Sequence, residues 1–501
     1  MSLATLDFSD AAPFTGPLPA FSPDGRLVAA AVDARVVVRD VESLAVAALF
    51  SCAGRVDALA WAPGGDRLLA ASYARGVAHV FSVSDLSYAA SVSEGAAGVA
   101  AARWCPSGAA LLLTADFRVR LSVWPLGGAG AAAAVQLSPP KHEAAGLGFS
   151  PDGSLLAVLE RFDSKDTLAL YDAATWTRVA EAALPTVDAA DLAWSPDSRC
   201  LALWDAPEHG HNLLVYSRAG EPLGAHAPAD RHGLGVRGAA WSPSGALLLV
   251  AAYEGEAALL NAATWEPLAH FSHAPAVAGP PEAIAYKEEV EAVKPPAAPL
   301  AASNVARGGG AARPHSSPSR PSPGARAAAA AAGRALPARR PRSAPGGPAS
   351  PDAPPAPAPR ARYEVAPLPL RLPYTRPPLD KPNPRMGVGL AEWSPDGSCL
   401  ATRADASPAA AWVWDSASLQ LAAVLLHATP VRALAWDPAP GARRLALAAG
   451  EGRLHLWAPG GASCVRVPVP GLRAGALRWA PGGGALLVAD KESFCIAYLN
   501  N

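Results

Sequence analysis

The chain has 501 residues, half of them apolar, with 52 prolines, 44 glycines and a formal net charge of −1. So much Pro and Gly does not suit a mostly helical protein, because both interrupt helices, and the near-neutral balance excludes a whole-chain polyelectrolyte aimed at nucleic acid or an anionic membrane. Six cysteines (Cys52, Cys105, Cys200, Cys399, Cys464 and Cys495) stand apart without a CxxC pair, so they supply neither a zinc pattern nor a disulfide framework and fit a reducing compartment.

In chain order, residues 1–10 lack the basic and apolar blocks of a secretory signal. No apolar run approaches the roughly 18 to 20 residues needed to cross a bilayer. The expectation is a cytoplasmic protein. After a short strand-like stretch at residues 3–8, an aromatic followed by a turn recurs nine times. The anchors are Phe21, Trp61, Trp104, Phe149, Trp194, Trp241, Trp393, Trp436 and Trp479, each followed by Ser, Ala, Cys or Asp and then Pro. Successive anchors lie 40, 43, 45, 45, 47, 152, 43 and 43 residues apart, which is one period with one interruption.

Each unit follows the same grammar. An apolar run ends in the aromatic, Pro presets φ for a tight turn that Gly or Asp completes, and a second apolar run follows. A third run often ends in an aromatic and Asp, as at Trp414-Asp415 and Tyr171-Asp172. Runs this short, bounded by turn residues, read as strands. Three or four strands per roughly 40 to 45 residues is the WD40 blade pattern of an all-β propeller. Nine anchors predict one closed ring of about nine blades, with a seven- or eight-bladed ring plus an appendage as the alternative. The last unit lacks an outer strand, which residues 3–8 can supply, so the ring is expected to close on both termini and hide two edges. The expected organisation is propeller over 1–289 with six anchors, a basic insertion over 290–362, and propeller over 363–501 with three.

The insertion is compositionally distinct. From Ser303 to Arg362 it has ten arginines, a single acid (Asp352), and otherwise mostly Ala, Pro, Gly and Ser. It cannot bury enough apolar surface to offset its ordering entropy and is expected to be disordered. Its flanks, Ala283–Glu288 and Tyr363–Ala366, read as strands that can pair and tie its ends together. The basic run reads first as a solvated linker, and otherwise suits acidic polymers such as nucleic acid or tubulin tails. Ser317, Ser322 and Ser350 each precede Pro and are candidate phosphorylation sites; three phosphates would cancel about half of the excess positive charge.

No catalytic, cofactor-binding or metal-binding site is expected. Gly233-Leu-Gly235-Val-Arg-Gly238 matches a dinucleotide fingerprint by letter but leads into a strand, where the fingerprint needs to open a helix. His209-Gly-His211 lacks a third metal ligand nearby. What remains is surface. Loops between second and third strands share one rim with the interblade connections, and several are charged: 73–76, 160–166, 403–405, 451–453 and 490–492. Arg39, Arg75, Arg403 and Arg432 are the candidate partner-binding residues.

Between the anchors, the sequence resembles the WD repeat-containing protein 8 family of centrosomal and spindle-pole proteins. The run Asp380-Lys-Pro-Asn383-Pro384-Arg-Met-Gly387-Val-Gly389 before Trp393 carries the resemblance, with Val37-Val-Arg39-Asp40, Glu94-Gly95-Ala-Ala-Gly98, Leu201-Ala-Leu-Trp204-Asp205 and Pro430-Val-Arg432. It implies a non-enzymatic scaffold without cofactor. Its implied partner is a coiled-coil microtubule-anchoring protein, joined in some members by a minus-end-directed kinesin. It further implies location at centrosomes, spindle poles and basal bodies, with roles in minus-end anchoring, spindle assembly and ciliogenesis. Tubulin would be met through the basic insertion; neither membrane nor nucleic acid is expected as a partner. The alternatives are a WD40 translation-initiation factor on the ribosome and a ubiquitin-ligase substrate adaptor.

Overall fold

The computed structural model describes residues 5–127, 133–206, 212–227, 234–280, 282–291, 361–377 and 385–500. The arginine-rich stretch with Ser317, Ser322 and Ser350, the pair His209 and His211, Gly233, and residues 380–384 lie outside these, as does the expectation of disorder for the insertion.

Among the described residues, nine sheets built on a four-stranded antiparallel unit follow one another along the chain; seven have four strands, and two are extended by further strands. Blades 1 to 6 occupy residues 20–51, 58–93, 101–137, 147–183, 189–226 and 236–272, and blades 7 and 8 occupy 388–426 and 433–466. Blade 9 joins the two ends of the chain, because strand Thr5–Phe8 pairs antiparallel with Ser493–Asn500 outside two strands of 476–489. The first strand of each blade lies innermost, and first strands of neighbouring blades approach one another.

Nine hydrophobic clusters fill the nine seams, each drawing residues from two adjoining blades. The seam between blades 9 and 1 is filled like the others, by Phe14, Phe21, Val28, Leu487 and Phe494. The ring is therefore closed with nine blades, and no appendage is left over among the described residues. Sandwiching every blade between two neighbours buries both faces of its middle strands. Leu68, Leu69, Ala70 and Ala71 are all fully buried, so these strands read as continuous apolar runs without in-out alternation.

The anchors link the blades. The indole N–H of each tryptophan anchor donates to the carbonyl just before the preceding blade's anchor, from Trp61 to Ala20 through Trp479 to Ala435, at 2.9 to 3.1 Å. The Ser-Pro-Asp turns are stitched from within. Ser394, fully buried, donates to Asp396 Oδ1 at 2.6 Å and accepts the Cys399 N–H at 2.9 Å, while Gly397 closes the turn at φ 70°.

The long gap between anchors is an excursion from the outer edge of blade 7. Strand Ile284–Val290 adds parallel to that blade's outer strand, Gln420–Leu426, and Ala361–Ala366 pairs antiparallel beyond it. Blade 7 is thereby six-stranded, and Val290 faces Ala361 across the roots of the insertion. A second short ladder, Ala276–Val277 with Leu370–Arg371, ties the same excursion nearer its start.

A candidate partner-binding rim

Turns between second and third strands and the interblade connectors share one rim of the ring; the aromatic-Pro turns and the turns between third and fourth strands share the other. On this scheme the four arginines do not form one site. Arg39 sits near the end of a third strand, on the rim opposite the other three, with Nη1 donating to the Leu44 carbonyl at 3.0 Å. Arg403 is a fastening. Its Nη1 donates to the Val431 carbonyl at 2.7 Å and its Nη2 pairs with Asp405, which also takes Arg237 Nη1 at 2.7 Å. Asp405 is 7% exposed, so this Arg-Asp-Arg triad clips blade 6 to blade 7 from inside, and burial lowers the Arg403 pKa.

Arg75 and Arg432 are exposed on the rim. Arg432 overhangs a cavity of about 540 Å³ between blades 8 and 9, lined by charges of both signs, Arg473 and Lys491 with Asp490 and Glu492, and by Gly450 and Gly475. The glycine matters here, since a Cβ on Gly450, at φ 73°, would lie 2.5 Å from Arg432 Nε.

Across blades 3 to 5 the rim differs. A cavity of about 710 Å³ opens there between Phe117, Pro139, Pro140 and Val187. Its floor is an ion-pair cluster: Lys141 Nζ lies 2.9 Å from Asp166 and 2.6 Å from Asp188, and Arg161 Nη1 lies 3.1 and 3.0 Å from the same two carboxylates. Phe117 was not singled out from the sequence, although its turn, Asp116-Phe117-Arg118, is charged like the loops that were. Its position in a turn between two apolar runs was the available signal.

Sequence reasoning also missed two buried polar networks. His273, in the connector leaving blade 6, meets Thr402 Oγ1 of blade 7 at 2.7 Å, and that hydroxyl accepts Trp414 Nε1 at 2.8 Å. The histidine thus serves a blade that begins only after the insertion. Burial lowers its pKa to about 4. At the root of the insertion, Glu288 Oε1 lies 3.1 Å from His455 Nε2 and 3.0 Å from Arg453 Nε, and its Oε2 accepts the Ala428 N–H at 2.9 Å. Burial opposes ionisation of Glu288, but these partners, His455 foremost, hold its pKa at about 2. Next to it, Tyr363 and His427 share a hydrogen bond of 2.6 Å.

Glu288, His455 and Cys464 bring ligating atoms within 4.8 Å of one another. Arg453 already supplies the positive charge at the shared oxygen, and burial pushes the Cys464 thiol up to about 12, so the group reads as an ionic clasp. Gly235 leads directly into strand Val236–Trp241, the inner strand of blade 6. Among the described residues no helix is long and apolar enough to cross a membrane.

No protein-family profile matches the chain. The WD repeat-containing protein WRAP73 of Mus musculus is 33% identical over 497 residues, covering 99% of this chain and 96% of that protein. Among solved structures, the C-terminal WD40 domain of Sif2 aligns over 99% of both chains at 10% identity with a TM-score of 0.48. The dihydro-heme d1 dehydrogenase NirN aligns over 83% of this chain and 66% of its own at 16% identity, with a TM-score of 0.46.

Proposed function

The chain belongs to the family of the WD repeat-containing protein WRAP73, and from that premise we propose that it is a non-enzymatic scaffold. It docks a coiled-coil microtubule-anchoring protein on its loop-bearing rim and holds it at centrosomes, spindle poles and basal bodies. There it supports minus-end anchoring, spindle assembly and ciliogenesis. The observation that carries this reading is the division of labour within the ring. Charged groups that clamp blades together, such as Arg403 and Glu288, are buried among partners, whereas Arg75 and Arg432 stand exposed on one rim. A rigid ring with cations left on one rim suits capture of an acidic helical surface. The arginine-rich insertion adds a second, salt-sensitive contact to acidic filaments such as tubulin tails.

Affinity purification of the tagged full-length protein from dividing cells, with mass spectrometry, tests the scaffold reading. Recovery of a coiled-coil anchoring protein with tubulin or centrosomal components is the expected outcome, and Arg75→Glu with Arg432→Glu is expected to reduce it. Recovery of ribosomal subunits or a ubiquitin-ligase core instead would overturn it.

A further inference from the structure

Phe117 and Phe162 are 87% and 84% exposed, more than any other large apolar side chain among the described residues. Phe117 stands in the second-to-third-strand turn of blade 3 and Phe162 ends the second strand of blade 4, beside the corresponding turn, so both stand on the same rim. Each turn is held in left-handed backbone that non-glycine residues rarely adopt: Phe117 and Arg118 at φ 55° and 59°, Asp163 and Ser164 at φ 49° and 61°. Asp163 and Ser164 form the two-residue turn of the hairpin closed by Phe162 and Lys165, but the exposure of the two phenylalanines is not explained by packing within the ring, and exposed apolar surface of this kind marks sites kept for a partner.

The surroundings describe the partner. The 710 Å³ cavity beside Phe117 has a flat wall of Pro139 and Pro140, with Val187, itself 56% exposed, among the residues that line it. Of the cations that line it, Lys141 and Arg161 are consumed by Asp166 and Asp188. Arg118 is exposed, donates to the Lys141 carbonyl, and has no carboxylate partner among the described residues. The open edge therefore offers apolar surface with one unspent positive charge. Apart from the short tip of the hairpin Leu155–Phe162 with Lys165–Asp172, the rim here is built of turns, so recognition falls mainly to side chains.

We propose that the cavity between Phe117, Pro139, Pro140 and Val187 is a docking groove for an acidic amphipathic helix of a partner protein. An apolar side chain enters the cavity, the neighbouring turn of the helix covers Phe162, and a Glu or Asp pairs with Arg118. This deepens the scaffold reading and rests on it.

The test uses the full-length protein and a fluorescent peptide of roughly 18 residues, long enough to form a helix on binding, with Leu on one face and Glu on the other. A twin carries Lys for Glu. At low salt the Glu peptide is expected to bind about tenfold tighter than its twin, and Phe117→Asp or Phe162→Asp to weaken it by about fivefold or more. Arg118→Glu is expected to reverse the preference between the peptides. Because Phe162 is exposed at the end of its strand, Phe162→Ser provides a variant expected to leave the melting temperature unchanged. Equal binding of both peptides, or binding indifferent to Phe117→Asp and Arg118→Glu, overturns the groove. If Phe117→Asp/Phe162→Asp full-length protein still recovers the coiled-coil partner from cells, the groove falls and the scaffold stands. If the wild-type chain recovers no such partner, the scaffold reading falls whatever the peptides do.

Discussion

At the scale of single residues, the serine of each Ser-Pro-Asp turn shows how a sequence motif becomes a structural constraint. Its hydroxyl is buried because it answers a backbone N–H five residues on, as Ser150 does for Leu155 and Ser394 for Cys399. Ser394→Ala leaves that N–H buried and unpaired and is expected to cost about 1–3 kcal/mol in urea unfolding. Asp152, whose pKa the Ser150 hydroxyl and the Ser154 N–H lower to about 2, contributes stability present above its unfolded value and lost as pH falls toward 2. The histidines act in the same direction, at higher pH. Burial lowers His273 to about 4 and His427 to about 3, so both stay neutral in the ring, whereas the unfolded chain takes up their protons below about 6.5. Stability should therefore decline from pH 6.5 down to these folded values. Comparing urea midpoints at pH 7.5 and 5.0 checks it, and His273→Gln should flatten part of the slope.

At the scale of elements, the linkage between blades has two exceptions that explain each other. Seven anchors are tryptophan and donate backwards to the preceding blade; Phe21 and Phe149 cannot. At those two seams the residue before the preceding anchor is arginine, and it donates forwards. Arg478 Nη1 reaches the Pro19 carbonyl at 3.2 Å, and Arg103 Nη1 reaches the Leu147 carbonyl at 3.0 Å. At the other seven seams that position holds Ala, Gly or Glu. Arg103→Ala should thus destabilise the ring by about 1 kcal/mol, and adding Phe149→Trp should restore most of it. Thermal unfolding of the single and double variants decides; no recovery in the double variant would break the equivalence. Room for the indole is suggested by blade 6, where anchor Trp241 packs edge-on to Trp265 at 6.2 Å, much as Phe149 packs on Trp176 at 6.4 Å.

At the scale of the whole molecule, the strands flanking the insertion are held by the ring itself. The two strands at the roots are held by Glu288, Tyr363 and the blade 8 side chains, so the ring does not need the intervening chain to close. Replacing residues 291–360 with a two-residue Asn-Gly turn should leave the ring folded and, by shortening the closed loop, raise its stability by about 1–3 kcal/mol. The same deletion should abolish salt-dependent cosedimentation with microtubules; persistence of that binding would assign it to the ring. The blade count, the strand order and the position of the excursion were legible in the sequence, because Trp-Ser-Pro-Asp-Gly encodes a local turn and its spacing counts the units. The paired flanks were legible too, from their own strand patterning. Which arginines are free was not. Arg403 and Arg432 both belong to charged words near a strand end, yet only the assembled seam puts Asp405 and Arg237 around the first and leaves the second in the open. Nor did His273 announce that it completes a blade 129 residues away. Local turns and apolar runs are properties of a few neighbouring residues, so sequence alone determined the propeller. Whether a charge or an aromatic is spent within the ring or left for a partner depends on what the adjoining blade places beside it, and that only the closed tertiary structure decided.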